Sequence, residues 1–292
     1  MQIQEFFDRD TWTLTYLVYD EATKDAVLID PVWDYDPASS QISSSSVNEV
    51  MEAILAKNLI LHMILETHAH ADHLTAAFPL KKKFPNVKVA ISDRITKVQT
   101  TFKKIYHFSE WFKTDGSQFD LLMRDHEYYS AGSLRWKVIP TPGHTPACSS
   151  YLFERGLEAS VVFTGDCLFM PDYGTGRCDF PEGDAATLFQ SVAENLFSLP
   201  DSTRVYTGHD YMPGGRPLRF SSTIGEEKKS NIQLNATTKP NDFVAFRRER
   251  DATLAAPRLL FPSIQINVNG GSLPPAESNG GSYLKIPLRI NH

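Results

Sequence analysis

A seven-residue run, Thr67-His68-Ala69-His70-Ala71-Asp72-His73, constrains this chain more than any other feature. It follows an apolar stretch, Leu59 to Leu65, that reads as a buried strand. His68 and His70 lie two apart, so an extended backbone points both imidazoles to one side. Asp72 and His73 fall at the first turn of a helix predicted over Asp72 to Phe84. Four potential ligands thus converge on one strand-to-helix loop. Asp72 alone reads equally as a helix N-cap, and one isolated His as an ordinary surface or core residue. Three of the chain's 9 histidines within residues 68–73 point instead to a metal.

The same chemistry recurs at three further strand ends. His144 lies in Pro142-Gly143-His144-Thr145, after the strand Leu134 to Pro140. Asp166 lies in Thr164-Gly165-Asp166, after Ser160 to Thr164. His209 lies in Gly208-His209-Asp210, after Arg204 to Tyr206. Each follows a glycine, which lets the backbone turn sharply and approach a site closely. Taken singly, Gly-Asp and Gly-His are ordinary turn dipeptides. Added to the histidine cluster on a fourth strand, they point to one shared metal site. Asp30, in Ile29-Asp30-Pro31, reads either as the partner that orients a ligand imidazole or as a turn residue before Pro31.

The rest of the pattern is α/β. Thr11 to Tyr19 and Asp25 to Ile29 read as strands joined by a turn over Glu21 to Lys24. A Ser-rich loop, Ser39 to Ser46, precedes a helix over Val47 to Lys57. Val87 to Ile91 and Ser149 to Phe153 read as strands and Ala185 to Leu196 as a helix. Ser92 to Asp125, polar and aromatic, reads as an insertion or lid. Helix returns from Gly225 to about Ala255, and the Gly- and Pro-rich tail from Pro257 reads as loop. The expected division is a catalytic domain over 1–255 and an extension over 256–292 packed on or near it.

The net charge of -6 argues against nucleic acid or an anionic membrane as the main partner. It leaves room for a local basic pocket. Met1 to Asp10 lack the apolar core of a secretory signal, and no apolar run approaches the length that spans a bilayer. Cys148, Cys167 and Cys178 show no metal-type spacing, and their odd number suggests reduced thiols in a cytoplasm.

Taken together, HxHxDH over His68 to His73, Gly143-His144, Gly165-Asp166 and Gly208-His209 resemble the four-part signature of the metallo-β-lactamase superfamily. The resemblance covers roughly Thr11 to Tyr211 and implies an αββα sandwich with metal at one edge. Residues 174–180, Gly-Thr-Gly-Arg-Cys-Asp-Phe, are similar to the GxGRxDF segment of persulfide dioxygenases, and Asp210-Tyr211 also suits them. Three departures stand out: Cys178 where Thr is often found, a longer stretch between His73 and His144, and an extended carboxyl end.

The resemblance implies one ferrous iron held by His68, His144 and Asp166, a two-His, one-carboxylate set with open coordination positions. His70, Asp72, His73 and His209 then serve as hydrogen-bonding neighbours of those ligands. Glutathione persulfide and O2 are the implied substrates, and a homodimer the expected assembly. Arg177 and Tyr211, with Arg216 and Arg219 on the next loop, are the candidate substrate contacts. His and Asp also bind zinc and manganese, so the residues alone do not choose the metal. A glyoxalase II-like binuclear thioester hydrolase would use the same donors, and a non-catalytic metal- or sulfide-responsive protein is a third reading.

Overall fold

The computed structural model describes residues 1–156 and 158–288. The last four residues of the expected extension lie outside the described residues. Strands β1 (Gln2–Phe7), β2 (Leu14–Tyr19), β3 (Asp25–Ile29), β4 (Val32–Asp36) and β5 (Gln41–Ser43) precede helix α1 (Ser45–Ala56). Then come β6 (Ile60–Leu65), β7 (Leu74–Thr75), α2 (Ala77–Lys83), β8 (Lys88–Ser92), α3 (Ile95–Ile105) and β9 (Leu121–Met123). The second half holds β10 (Tyr128–Ala131), β11 (Leu134–Pro140), β12 (Ser149–Arg155), β13 (Glu158–Phe163) and α4 (Ala185–Gln190), which continues as a π-helical turn over Ser191–Leu196. It closes with β14 (Arg204–Tyr206), β15 (Ser221–Thr223), α5 (Ile224–Ser230), α6 (Pro240–Asp251) and α7 (Leu260–Asn267).

Two six-stranded sheets result, ordered β1-β2-β3-β6-β8-β9 and β10-β11-β12-β13-β14-β15. The first is antiparallel at β1, β2 and β3 and parallel from β3 through β9. Side-chain alternation divides each strand between two cores. Leu14, Tyr16 and Val18 of β2 point inward and meet Trp136, Tyr151, Phe153 and Phe163 between the sheets. Leu17 and Tyr19 point outward, into a core shared with α1, α2, α3 and α7. On the far side, Val162 and Val205 pack against Leu188, Ile224 and Phe243 of α4, α5 and α6. The architecture is therefore an αββα sandwich. No helix among the described residues is long and apolar enough to cross a membrane.

Three sequence expectations change. The helix expected from Asp72 begins only at Ala77. Leu74 and Thr75 pair instead with Trp33 and Val32 of β4, and this long-range pairing overrides a local helix-start pattern. Asp72 and His73 therefore sit in a loop. Ser92 to Asp125 is no lid: it supplies α3 and the parallel edge strand β9. Phe102, Phe108, Phe112 and Phe119 from this stretch are buried in the first helical core. The tail is likewise not all loop, because α7 and the residues capping it bury Leu259, Ile264, Ile266 and Val268 in that same core. The amino-terminal edge strand β1 has no counterpart in the sequence reading.

Candidate metal centre

The sheets deliver their ligands from carboxyl ends of strands, where side chains leave the ladder and converge. His68 follows β6, His144 follows β11, Asp166 follows β13 and His209 follows β14. At Gly165 the turn needs a left-handed backbone, φ +50. A Cβ there would stand 2.5 Å from Thr67 Oγ1, so only glycine lets these two loops meet.

His68 is 1% exposed, and both of its ring nitrogens have a direction assigned by chemistry. Asp30 accepts from Thr67 N and Thr67 Oγ1, both at 2.7 Å. With its proton given to Asp30, the Thr67 hydroxyl can only accept from His68 Nδ1, at 3.0 Å. The proton is therefore on Nδ1, and the Nε2 lone pair faces Asp166 Oδ2 at 3.8 Å with no hydrogen-bond partner. His144 is set in the same way: Nδ1 donates to the Arg177 carbonyl at 2.6 Å, and Nε2 lies 3.5 Å from Asp166 Oδ2. The sequence left Asp30 open between imidazole partner and turn residue. It does both, acting on His68 through Thr67 and adopting φ +48 before Pro31.

The donor atoms of His68, His144 and Asp166 lie within 4.8 Å of one another. Burial, reinforced by the neighbouring His70 and His144 rings, pushes the His68 pKa well down and keeps the imidazole neutral, the form that binds metal. An orphaned, buried, neutral Nε2 aimed at a carboxylate fits a cation between them, and the site has the donors to hold one.

The remaining motif residues surround this trio. His70 Nε2 lies 3.0 Å from Asp30 Oδ1 and 3.6 Å from Glu66 Oε2. Burial opposes its charge, but Asp30 and Glu66 outweigh burial and hold the His70 pKa well above normal. Asp72 Oδ2 is 3.0 Å from His73 Nδ1 and 3.3 Å from His209 Nε2. Burial would raise the Asp72 carboxyl, but the His209 and His73 imidazoles prevail and hold it well below the carboxylate range. His209 Nε2 also lies 3.3 Å from Asp166 Oδ1, so Asp72, Asp166 and His209 form a second group of donors within 4.8 Å.

A cavity of about 430 Å3 opens over His144 and Asp166 of the trio, lined also by Trp12, Asp72 and Tyr211 among others. Tyr211 stacks on His209 with ring centroids 5.4 Å apart. Its phenol stays protonated, because burial, with Asp166 and Asp72 beside it, raises its pKa well above normal.

The predicted cations are placed unevenly. Arg177 reaches the cavity, but Nε and Nη2 grip Asp179 at 2.6 Å and Nη1 donates to the Ala255 carbonyl at 2.7 Å. Arg216 and Arg219 do not line it. Arg216 is held by Asp172 and Asp210, where it braces the residue after His209, and Arg219 pairs with Glu226 at 3.0 Å. The sequence reading missed Arg250 and Arg258, which do line the cavity. Among the described residues neither guanidinium makes a hydrogen bond or a salt bridge. The basic run Arg247-Arg248-Glu249-Arg250 was the signal available for Arg250. The cysteines take no part: all three are buried, and burial pushes Cys148 and Cys178 up to about 12.

An αββα sandwich with two imidazoles and a carboxylate gathered at one edge is an arrangement able to hold a metal ion. The family model of the metallo-β-lactamase superfamily matches residues 13–209, and the chain belongs to that superfamily. It is 45% identical to Glyoxylase B2 of Dictyostelium discoideum, covering 98% of this chain and 97% of that one. It is 43% identical to a probable metallo-hydrolase of Burkholderia pseudomallei, over 99% of both. The mitochondrial persulfide dioxygenase ETHE1 of Homo sapiens is 32% identical over 80% of this chain and 75% of its own. The crystal structure of ETHE1 from Myxococcus xanthus superposes with a TM-score of 0.72 at 31% identity, covering 93% of this chain and all of that one.

Proposed function

We propose that the chain is a persulfide dioxygenase that converts glutathione persulfide, O2 and water to sulfite, glutathione and protons at one ferrous iron. The observation that carries this reading is the division of labour within the histidine cluster. His68 and His144 each commit Nδ1 as a hydrogen-bond donor and point Nε2 at Asp166, whereas His70 Nε2 is turned to Asp30 and Glu66. With His70 Nε2 directed at those carboxylates, the group we assign to the metal is a two-His, one-carboxylate set. The segment Gly174 to Phe180 and the likeness to the human persulfide dioxygenase support the same choice.

Ferrous iron bound by that trio supplies the chemistry that joins O2 to sulfur. The chain's own residues bind and orient the thiol. Arg250 and Arg258 offer free guanidinium groups for the two carboxylates of glutathione, and a forked donor matches a carboxylate better than a lysine would. Tyr211 adds a hydroxyl at the cavity wall, and Trp12 and Phe169 keep that wall apolar around the sulfur. Arg177, already gripped by Asp179, braces the loop whose carbonyl fixes His144.

A second reading rests on Asp72, Asp166 and His209, whose donors also lie within 4.8 Å. A second metal held there would suit a glyoxalase II-like thioester hydrolase, as does the name of the Dictyostelium relative. One experiment separates the two. Protein purified without added zinc is analysed for metal, then assayed for O2 uptake with glutathione persulfide and for hydrolysis of a glutathione thioester. About one iron per chain with O2 uptake is expected. Two zinc ions with thioester hydrolysis and no O2 uptake would overturn the proposal.

A further inference from the structure

The loop from His68 to Thr75 carries donors at His68, His70, Asp72 and His73, yet β7 gives it only two residues of strand. Most of its backbone must find partners elsewhere, since a buried carbonyl left unpaired is costly. The partner is Asn267, the last residue of α7, which is 3% exposed. Asn267 Nδ2 donates to the His70 carbonyl and to the His73 carbonyl, each at 2.8 Å. Asn267 Oδ1 accepts from Thr75 N at 2.9 Å. A primary amide has two N–H donors and a carbonyl oxygen, and all three are engaged on this one loop. The amide orientation follows from its partners, because two carbonyls require the nitrogen and one N–H requires the oxygen.

The helix that delivers Asn267 is itself held firmly. Ile264 and Ile266 are buried in the first helical core, and Gln99 Nε2 donates to the Val268 carbonyl at 2.9 Å. Just beyond, Gly271 adopts φ +81, and a Cβ there would lie 3.0 Å from Ala77 Cβ and 3.1 Å from Phe78 N. The chain leaving α7 thus presses directly on the start of α2, the helix that follows the metal loop.

We infer that Asn267 is a positioning residue of the metal centre. By fixing the carbonyls that bracket Ala71 and Asp72, it sets how the loop presents its donors, and it makes the carboxyl-terminal segment part of the site. The inference rests on the metal-centre reading and is independent of the substrate. Metal affinity and the docking of α7 are then coupled, and the coupling is reciprocal.

The test titrates the full-length apo chain with Co2+, following its visible absorption, beside apo-state melting. Asn267→Asp keeps the acceptor for Thr75 N but sets a carboxylate oxygen against two carbonyls. Asn267→Ala removes all three bonds. Both are expected to weaken Co2+ binding by about 10–100-fold, as loss of groups that orient ligands does, and to shift the absorption bands. Ile264→Val, a mild change in the same helix that leaves α7 docked and the three Asn267 bonds intact, is expected to lower melting but to leave affinity and spectrum alone. Wild-type protein gives a second arm if the Asn267 variants do not fold: Zn2+ should slow amide exchange at Thr75 and through α7. Wild-type affinity in the Asn267 variants, an equal affinity loss in Ile264→Val, or exchange in α7 that ignores Zn2+ would each overturn the inference. A wild-type chain that binds no Co2+ would overturn the metal centre and this inference with it.

Discussion

Replacing Asp30 by Asn removes no ligand from the metal centre, yet the structure predicts that it weakens metal binding. In the native chain the Asp30 carboxylate can only accept, so Thr67 Oγ1 donates to it at 2.7 Å and accepts from His68 Nδ1 at 3.0 Å. The proton on Nδ1 leaves the Nε2 lone pair free for metal. In Asp30→Asn, an amide nitrogen that takes over the Oδ2 position becomes a donor. The Thr67 hydroxyl must then accept, and its proton turns toward His68 Nδ1. That drives the imidazole proton to Nε2, the atom facing Asp166, and metal must displace it. Asp30 is 2% exposed, so water does not relieve the reversal. Changes in such ligand-orienting partners cost about 10–100-fold in affinity, equivalent to roughly 1.4–2.8 kcal/mol. Competition for Zn2+ against a chromophoric chelator at neutral pH measures the dissociation constant. Thr67→Val should lose a similar amount by cutting the same relay, and the double variant should lose little more than either single one. An Asp30→Asn affinity within about twofold of wild type would refute the relay, as would fully additive losses.

Three other outcomes are expected. His68→Ala, His144→Ala and Asp166→Ala should lose metal and activity together, whereas Asp72→Ala and His73→Ala should keep most of the metal while turning over more slowly; mass-spectrometric metal counts decide, and equal loss in both groups contradicts a single-metal centre. Arg250→Ala and Arg258→Ala should each raise KM for glutathione persulfide, by roughly tenfold for a charged hydrogen bond at a partly solvated wall, with metal content unchanged; an unaltered KM in both removes them as carboxylate anchors. Burial raises Glu227 from its ordinary 4.5 to about 8, so it folds as the neutral acid. Its stabilising contribution is complete below 4.5 and is lost as pH rises toward 8, by about 1.4 kcal/mol per pH unit. Denaturant unfolding between pH 5 and 8 should therefore show wild type weakening relative to Glu227→Gln, and parallel profiles would refute the burial argument.

The candidate metal donors that the fold gathers are legible in the sequence because the pattern is local: a histidine or aspartate beside a glycine at a strand end needs no knowledge of the rest of the chain. Their protonation is not, since it depends on Asp30 and Thr67, which meet His68 only through the pairing of β3 with β6. The start of α2 was misread for a similar reason. Asp72 has the look of a helix cap, but pairing with β4 takes Leu74 and Thr75 into a ladder. Which cations line the cavity is not legible in sequence order. Arg216 and Arg219 lie near His209 in sequence but are paired with Asp172, Asp210 and Glu226, while Arg250 and Arg258 line the cavity without a salt bridge to any described residue. Whether a charge is free is a property of its neighbours, and sequence order does not carry it. The buried role of the Ser92 to Asp125 stretch is not legible because its scattered phenylalanines show no simple period until α3 and the loop after it fold over one another.

The bond between Asn267 Nδ2 and the His70 carbonyl joins residues 197 positions apart. During synthesis the loop bearing His68 to His73 is made early, and its amide partner emerges far later. Until then the carbonyls of His70 and His73 have only water to bond, and the loop is free to sample other shapes. Local strands and helices can form in that interval, but this closure, of very high sequence separation, adds to the non-local contacts that slow folding in general. The metal centre is therefore finished in time order as well as in space: its backbone is complete only after residue 267 has been added and α7 has docked.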